Sequence, residues 1–160
     1  MKALILSALL WLGIITPPHS LIISGYDPGG DVSTYLTWLD RFAKTGVPVV
    51  LDGACVSACT FVVAMFDPDK ICVTPRASLG LHQASTQNAQ GQSVADPDVT
   101  HLLQVTFYPP WLQQWIKDYE AVSGELTTDV VYVHYDELSK HYRTCSPVEA
   151  PIANEGLTYL

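Results

Sequence analysis

From Leu21 onward the apolar positions fall into short runs punctuated by turn residues. Leu21-Ile-Ile-Ser24 is a brief apolar run that stops at Gly25-Tyr-Asp-Pro-Gly-Gly30, which predicts a strand ending in a tight loop. Val32, Tyr35, Leu36, Leu39 and Phe42 then recur at helical spacing, and Gly46 followed by Pro48 closes that helix. Val47-Pro-Val-Val-Leu51, bounded by Gly46 and Gly53, is short and apolar throughout and predicts a strand covered on both faces. Ser57 to Phe66 is small and apolar, which suits a buried helix ended by Asp67-Pro68, and Ile71-Cys-Val-Thr74 predicts a third strand.

The second half is more polar. Gln83 to Asp96 is rich in Gln, Ser and Ala and reads as a mobile loop. Helices are expected near Val99 to Phe107 and near Trp111 to Val122, because Pro109-Pro110 must break anything continuous between them. The second carries an apolar stripe of Trp111, Trp115, Ile116 and Tyr119. Val130-Val-Tyr-Val133 predicts a last strand, Asp136 to Tyr142 a last helix, and the stretch beyond Pro147 a loose tail. Strands and helices alternating in such short steps imply right-handed crossovers and an α/β layer structure with a mostly parallel sheet flanked by helices.

The residues before Leu21 follow another pattern. Lys2, an apolar run from Ala3 to Ile15 and then Thr16-Pro17-Pro18-His19-Ser20 have the form of a signal peptide. The run is shorter than the roughly 20 residues that a membrane-spanning helix needs. The expected organisation is a signal peptide over residues 1–20, one α/β domain over 21–146 and a tail over 147–160. Export to the periplasm or beyond follows, or a membrane anchor if the leader stays uncleaved. Four cysteines, Cys55, Cys59, Cys72 and Cys145, suit an oxidising compartment and can pair in three ways. Their spacing does not make a zinc site, and no metal or other cofactor is expected. A net charge of −8 with only eight Lys and Arg leaves no basic stripe for phosphates, so nucleic acid is not an expected partner.

Three segments share one kind of place, the end of an apolar strand, where open α/β sheets hold their ligands. They are Pro28-Gly29-Gly30, Gly53-Ala-Cys-Val-Ser57-Ala58 and Gly80-Leu81-His82-Gln83. A serine at a strand-to-helix turn among small residues is held where its hydroxyl is exposed and where backbone NH groups point at a developing oxyanion. Taken singly, Ser57 reads more readily as a helix cap and His82 as a structural histidine. Cys55 and Cys59 lie two residues either side of Ser57. A disulfide bracing the turn suits them better than the role of nucleophile.

Together, the Gly-x-x-x-Ser segment, a Gly-x-His-Gln 25 residues later and an upstream Asp-Pro-Gly-Gly resemble the proteolytic subunit of the Clp protease family, within the Clp/crotonase superfamily. The resemblance covers about Leu21 to Ser85. It implies the repeated ββα superhelix of that superfamily and a serine peptidase. Ser57 would be the nucleophile, His82 the general base, and the NH groups of Gly30 and Ala58 the oxyanion donors. Aligning the last helix without gaps puts Val130 at the family's aspartate, so Asp129, one residue earlier, is the expected third member, and Asp136 reads as a helix-start residue.

The chain departs from the family in lacking its opening strands and in carrying Pro109-Pro110 where the family builds its ring. An exported enzyme of this kind would work without an ATPase partner on peptides or unfolded proteins, with a homo-oligomer still open. A catalytically inactive binding or scaffold protein of the same fold is the alternative. An acyl-CoA enzyme of the crotonase type is the third choice, and would need a basic pocket for which the sequence has little material.

Overall fold

The computed structural model describes residues 20–150. The leader, apart from Ser20, and the tail beyond Ala150 lie outside the described residues. Strand β1 (Leu21–Asp27) runs parallel to β2 (Val49–Val56) along its whole length, from Leu21 opposite Val49 to Asp27 opposite Cys55. Helix α1 (Val32–Thr45) connects them. Asp31 caps it by accepting the Thr34 NH, and Gly46 ends it in the left-handed conformation with its own NH on the Ala43 carbonyl. The predicted stripe is the buried one: Leu39 is fully enclosed, with Val32, Tyr35, Leu36 and Phe42 packed against the core.

Strand β2 is the centre of the sheet, and that explains its unbroken apolar run. Val49, Val50 and Leu51 are each at most 1% exposed, and burying a side chain of that size contributes about 1.5–3 kcal/mol. On the side away from β1, this strand has two successive partners. Val49 to Leu51 pair with β3 (Ile71–Val73), and Ala54 to Val56 pair with β4 (Ser78–Leu81), both parallel. At the changeover sits Asp52, a buried carboxylate that accepts hydrogen bonds from Thr74 Oγ1 at 2.6 Å and Arg76 Nη2 at 2.5 Å. Its charge is tolerable in the interior because both oxygens are engaged.

Ser57 to Phe66 is not one helix. Ser57–Phe61 forms a 3-10 turn, followed by the short α2 (Val62–Met65). The Cys55–Cys59 disulfide and the Thr60 hydroxyl on the Ser57 carbonyl both draw that first turn tight. The polar stretch expected to be a mobile loop holds a hairpin instead, β5 (Ser85–Gln87) paired antiparallel with β6 (Ser93–Ala95). Its side chains are polar or exposed on both faces, so no period-2 signal marked it. Asn88 closes the tip by accepting the NH groups of Gln90 and Gln92.

Helices α3 (Pro97–Phe107) and α4 (Pro110–Ser123) follow, broken at the expected prolines. Strand β7 (Val131–His134) pairs antiparallel with β4, α5 (Tyr135–Leu138) is shorter than expected, and β8 (Arg143–Thr144) adds parallel to β3. The result is a mixed α/β fold whose main sheet is parallel except at β7. A disulfide between Cys72 and Cys145 fastens β3 to the end of β8. Ser146 and Glu149 turn the chain back on Arg143 just beyond it. Among the described residues no helix is long and apolar enough to cross a membrane.

Candidate active site

The three segments singled out in the sequence meet at one end of the sheet. A cleft of about 750 Å³ is lined by Gly30, Ser57, Ala58, Gly80 and His82, together with residues of the β5–β6 hairpin and of α3. The β1–α1 loop presses directly onto the serine turn. Gly29 has φ of 73°, and a Cβ there would stand 2.4 Å from the Val56 carbonyl oxygen and 2.7 Å from the Ala58 nitrogen. Only glycine meets both conditions. Asp27 holds the loop by accepting the Gly29 NH and the Tyr35 hydroxyl.

Among the described residues Ser57 is the one non-glycine residue with positive φ, at 58°. Such a conformation is sparsely populated for an L-residue and costs on the order of 1–3 kcal/mol. It turns the chain sharply from β2 into the 3-10 turn and leaves Ser57 half-buried at the cleft wall between two buried neighbours, Val56 and Ala58. The Cys55–Cys59 disulfide spans this residue symmetrically, and both cysteines are buried. Neither is free to act as a nucleophile.

His82 follows β4 directly and is also half-buried. Its Nδ1 lies 2.6 Å from the Gln83 carbonyl oxygen. A carbonyl can only accept, so Nδ1 carries the proton, and in the neutral ring Nε2 keeps a lone pair. The Gln83 backbone is fixed in turn, donating its NH to the Thr127 carbonyl at 2.7 Å. Among the described residues no direct hydrogen bond joins Ser57 to His82.

Asp129 stands elsewhere. It is exposed, its own NH is bonded to Thr127 Oγ1, and it is not part of the cleft lining. Its segment reaches the site through Leu126, which lines the cleft, and through the Thr127 carbonyl on the Gln83 NH. Asp136 sits in the first turn of α5, and His101 and His134 are exposed on the surface. Among the described residues no cluster of His, Cys, Asp or Glu could hold a metal ion.

Two residues absent from the sequence reading also belong to the site. Thr60, fully buried, donates its hydroxyl to the Ser57 carbonyl at 2.6 Å, and Tyr108 OH lies 2.7 Å from the same Thr60 oxygen. Burial pushes the Tyr108 phenol up to about 12, with the Thr60 contact pulling the other way, so it stays protonated. At the mouth, Asp31 collects Ser33 Oγ, Thr34 Oγ1 and the Thr34 NH on one oxygen, and these bonds lower its pKa.

No family model and no curated protein matches this chain. Its fold is similar to that of the 1510-N membrane-bound stomatin-specific protease, solved as a lysine-to-alanine mutant in complex with a substrate peptide. The TM-score is 0.51 at 17% identity, over 87% of this chain and 72% of that one. A serine-to-alanine mutant of the same protease superposes with a TM-score of 0.45 at 18% identity, over 76% and 60% of the two chains. The likeness to the first of these structures is one of fold and not of sequence.

Proposed function

We propose that the protein is a serine peptidase that cleaves peptide bonds through an acyl-enzyme on Ser57, with His82 as general base. The observation that carries this reading is the tautomer of His82. Its Nδ1 proton is committed to the Gln83 carbonyl, so Nε2 is the basic atom, and the ring lines the cleft into which the strained Ser57 turn opens.

As substrate enters, Nε2 takes the Ser57 hydroxyl proton while Oγ attacks the carbonyl carbon. The oxyanion is held by the backbone NH groups of Gly30 and Ala58, each donor of this kind being worth about 2.7–4 kcal/mol in the transition state. The imidazolium then returns its proton to the leaving amine, and water repeats the sequence on the acyl-enzyme. In this reading the Gln83 carbonyl takes the orienting place that the family resemblance gives to Asp129. A neutral dipole stabilises imidazolium less than a carboxylate does, so a slow enzyme is expected. Peptide is the substrate class because the protease that shares the fold was captured with one. The two disulfides fit an exported protein.

The test is labelling by a fluorophosphonate, which reports an activated serine without knowledge of the substrate. Label on Ser57 that disappears in Ser57→Ala, with circular dichroism unchanged, supports the peptidase. Folded protein that takes no label favours the binding or scaffold role.

A further inference from the structure

We infer that Tyr108 and Thr60 are positioning residues for the nucleophile: the Tyr108 hydroxyl, through Thr60 Oγ1, holds the Ser57 carbonyl and so fixes the direction of Ser57 Oγ. The inference rests on the peptidase reading of Ser57.

The proton count decides the direction of the chain. Thr60 has one hydroxyl proton, and it goes to the Ser57 carbonyl oxygen, which can only accept. Tyr108 is therefore the donor to Thr60 Oγ1. The phenol never competes for that role by ionising at ordinary pH, since burial keeps it protonated up to about 12.

The geometry shows why such a chain matters at this point. Ser57 sits at a φ of 58°, a conformation that relaxes unless its surroundings over-determine it. The disulfide fixes the Cα positions on either side of it but not the rotation of the peptide plane after Ser57. That plane carries the Ser57 carbonyl and the Ala58 NH, the proposed oxyanion donor. A hydrogen bond on the carbonyl therefore sets the NH on its other side as well.

Tyr108 is itself held on three sides. Its ring packs against Phe61 with centroids 5.7 Å apart, its carbonyl accepts Gln113 Nε2 at 2.7 Å, and its NH bonds to the Gln104 carbonyl. Tyr108 also lines the cleft, so one residue links the wall that would receive substrate to the turn that carries Ser57.

The test is the inactivation kinetics of a fluorophosphonate, which form the Oγ–P bond with loss of fluoride and separate binding (KI) from chemistry (kinact). Tyr108→Phe and Thr60→Val should each lower kinact by about fivefold or more with KI unchanged, since small displacements of a reacting group cost large factors in rate. Thr60→Ser, which keeps the hydroxyl, should retain kinact within about twofold. Thermal melts identify any variant that has lost its fold, and Thr60→Ser then serves as the deciding comparison with Tyr108→Phe. Wild-type kinact in Tyr108→Phe, a change in KI alone, or a Thr60→Ser as slow as Thr60→Val would overturn the inference and leave the peptidase standing. A wild-type protein that is not labelled at Ser57 removes the peptidase reading and this inference with it.

Discussion

His82 Nδ1 is bonded to the carbonyl oxygen of Gln83, the next residue in the chain, at 2.6 Å. The histidine is thus oriented by backbone, and the backbone is held by the Thr127 carbonyl on the Gln83 NH. Side-chain changes at Gln83 should therefore be harmless while a loss of its NH should not. Gln83→Ala is expected to keep turnover within about twofold, and Gln83→Pro, which has no NH to donate, to lose at least about tenfold in peptide or ester hydrolysis. Equal activity in the two variants would mean that the Thr127 contact is irrelevant.

Asp129 provides the complementary measurement. In a triad, replacing the aspartate by asparagine costs about 10⁴ in kcat. Here Asp129 is exposed and outside the cleft, so Asp129→Asn should change kcat by less than about threefold. A loss of a hundredfold would place this carboxylate on His82 after all.

Gly29 and Gly46 form a matched pair, with φ of 73° and 70°. An alanine at either position meets the left-handed penalty of about 1–2 kcal/mol. At Gly46 nothing lies within 4 Å of the new Cβ, whereas at Gly29 it meets Val56 O and Ala58 N at 2.4 and 2.7 Å. Gly46→Ala should cost only the penalty, and Gly29→Ala about 1–3 kcal/mol more together with Ser57 labelling. Urea titration alongside probe labelling checks both parts.

The two disulfides should separate stability from activity. Cys72–Cys145 closes a span of 73 residues and Cys55–Cys59 a span of 4. Chain-entropy arithmetic gives about 4 kcal/mol for the first and about 2 kcal/mol for the second. Removing Cys72 and Cys145 together should therefore lower the denaturation midpoint more. Removing Cys55 and Cys59 should slow Ser57 labelling more, because that bridge spans the nucleophile. The same ranking in both assays would rule out this division.

Acid sensitivity should come in part from the chain beyond β8. The Arg143 guanidinium and the Ser146 NH and hydroxyl hold the Glu149 carboxyl down at about 2, against an ordinary 4.5. A depressed carboxylate adds stability above its unfolded pKa and loses it as pH falls through the folded one. The melting temperature of wild type should exceed that of Glu149→Gln by a constant margin down to pH 4.5, and the margin should vanish near pH 2. A margin still open at pH 2 would assign the contact to something other than charge.

Much of the fold up to Ser85 could be read from the chain itself. The helical spacing from Val32 to Phe42, its closure at Gly46, and the doubly covered run at Val49 to Leu51 are local patterns, and periodicity reports local patterns well. The segments that line the candidate site were legible for the same reason, since Gly29, Ser57 and His82 each announce a turn or strand end by their immediate neighbours. The hairpin at Ser85–Ala95 escaped because its faces are both solvated. The small β8 escaped because a strand of two residues carries too few positions to show a period.

What the sequence determined by itself, then, was the set of elements near the site and the residue types that could do chemistry there. Tertiary structure alone decided which of them work together. Tyr108 reaches Thr60 across 48 residues, Arg76 reaches Asp52 across 24, and Cys72 finds Cys145 across 73. Such pairs depend on where whole strands and helices pack, and a hydrogen bond or a disulfide acts over a few ångströms only. The exposure of Asp129 and the backbone partner of His82 belong to the same class, and no local pattern around either residue records them.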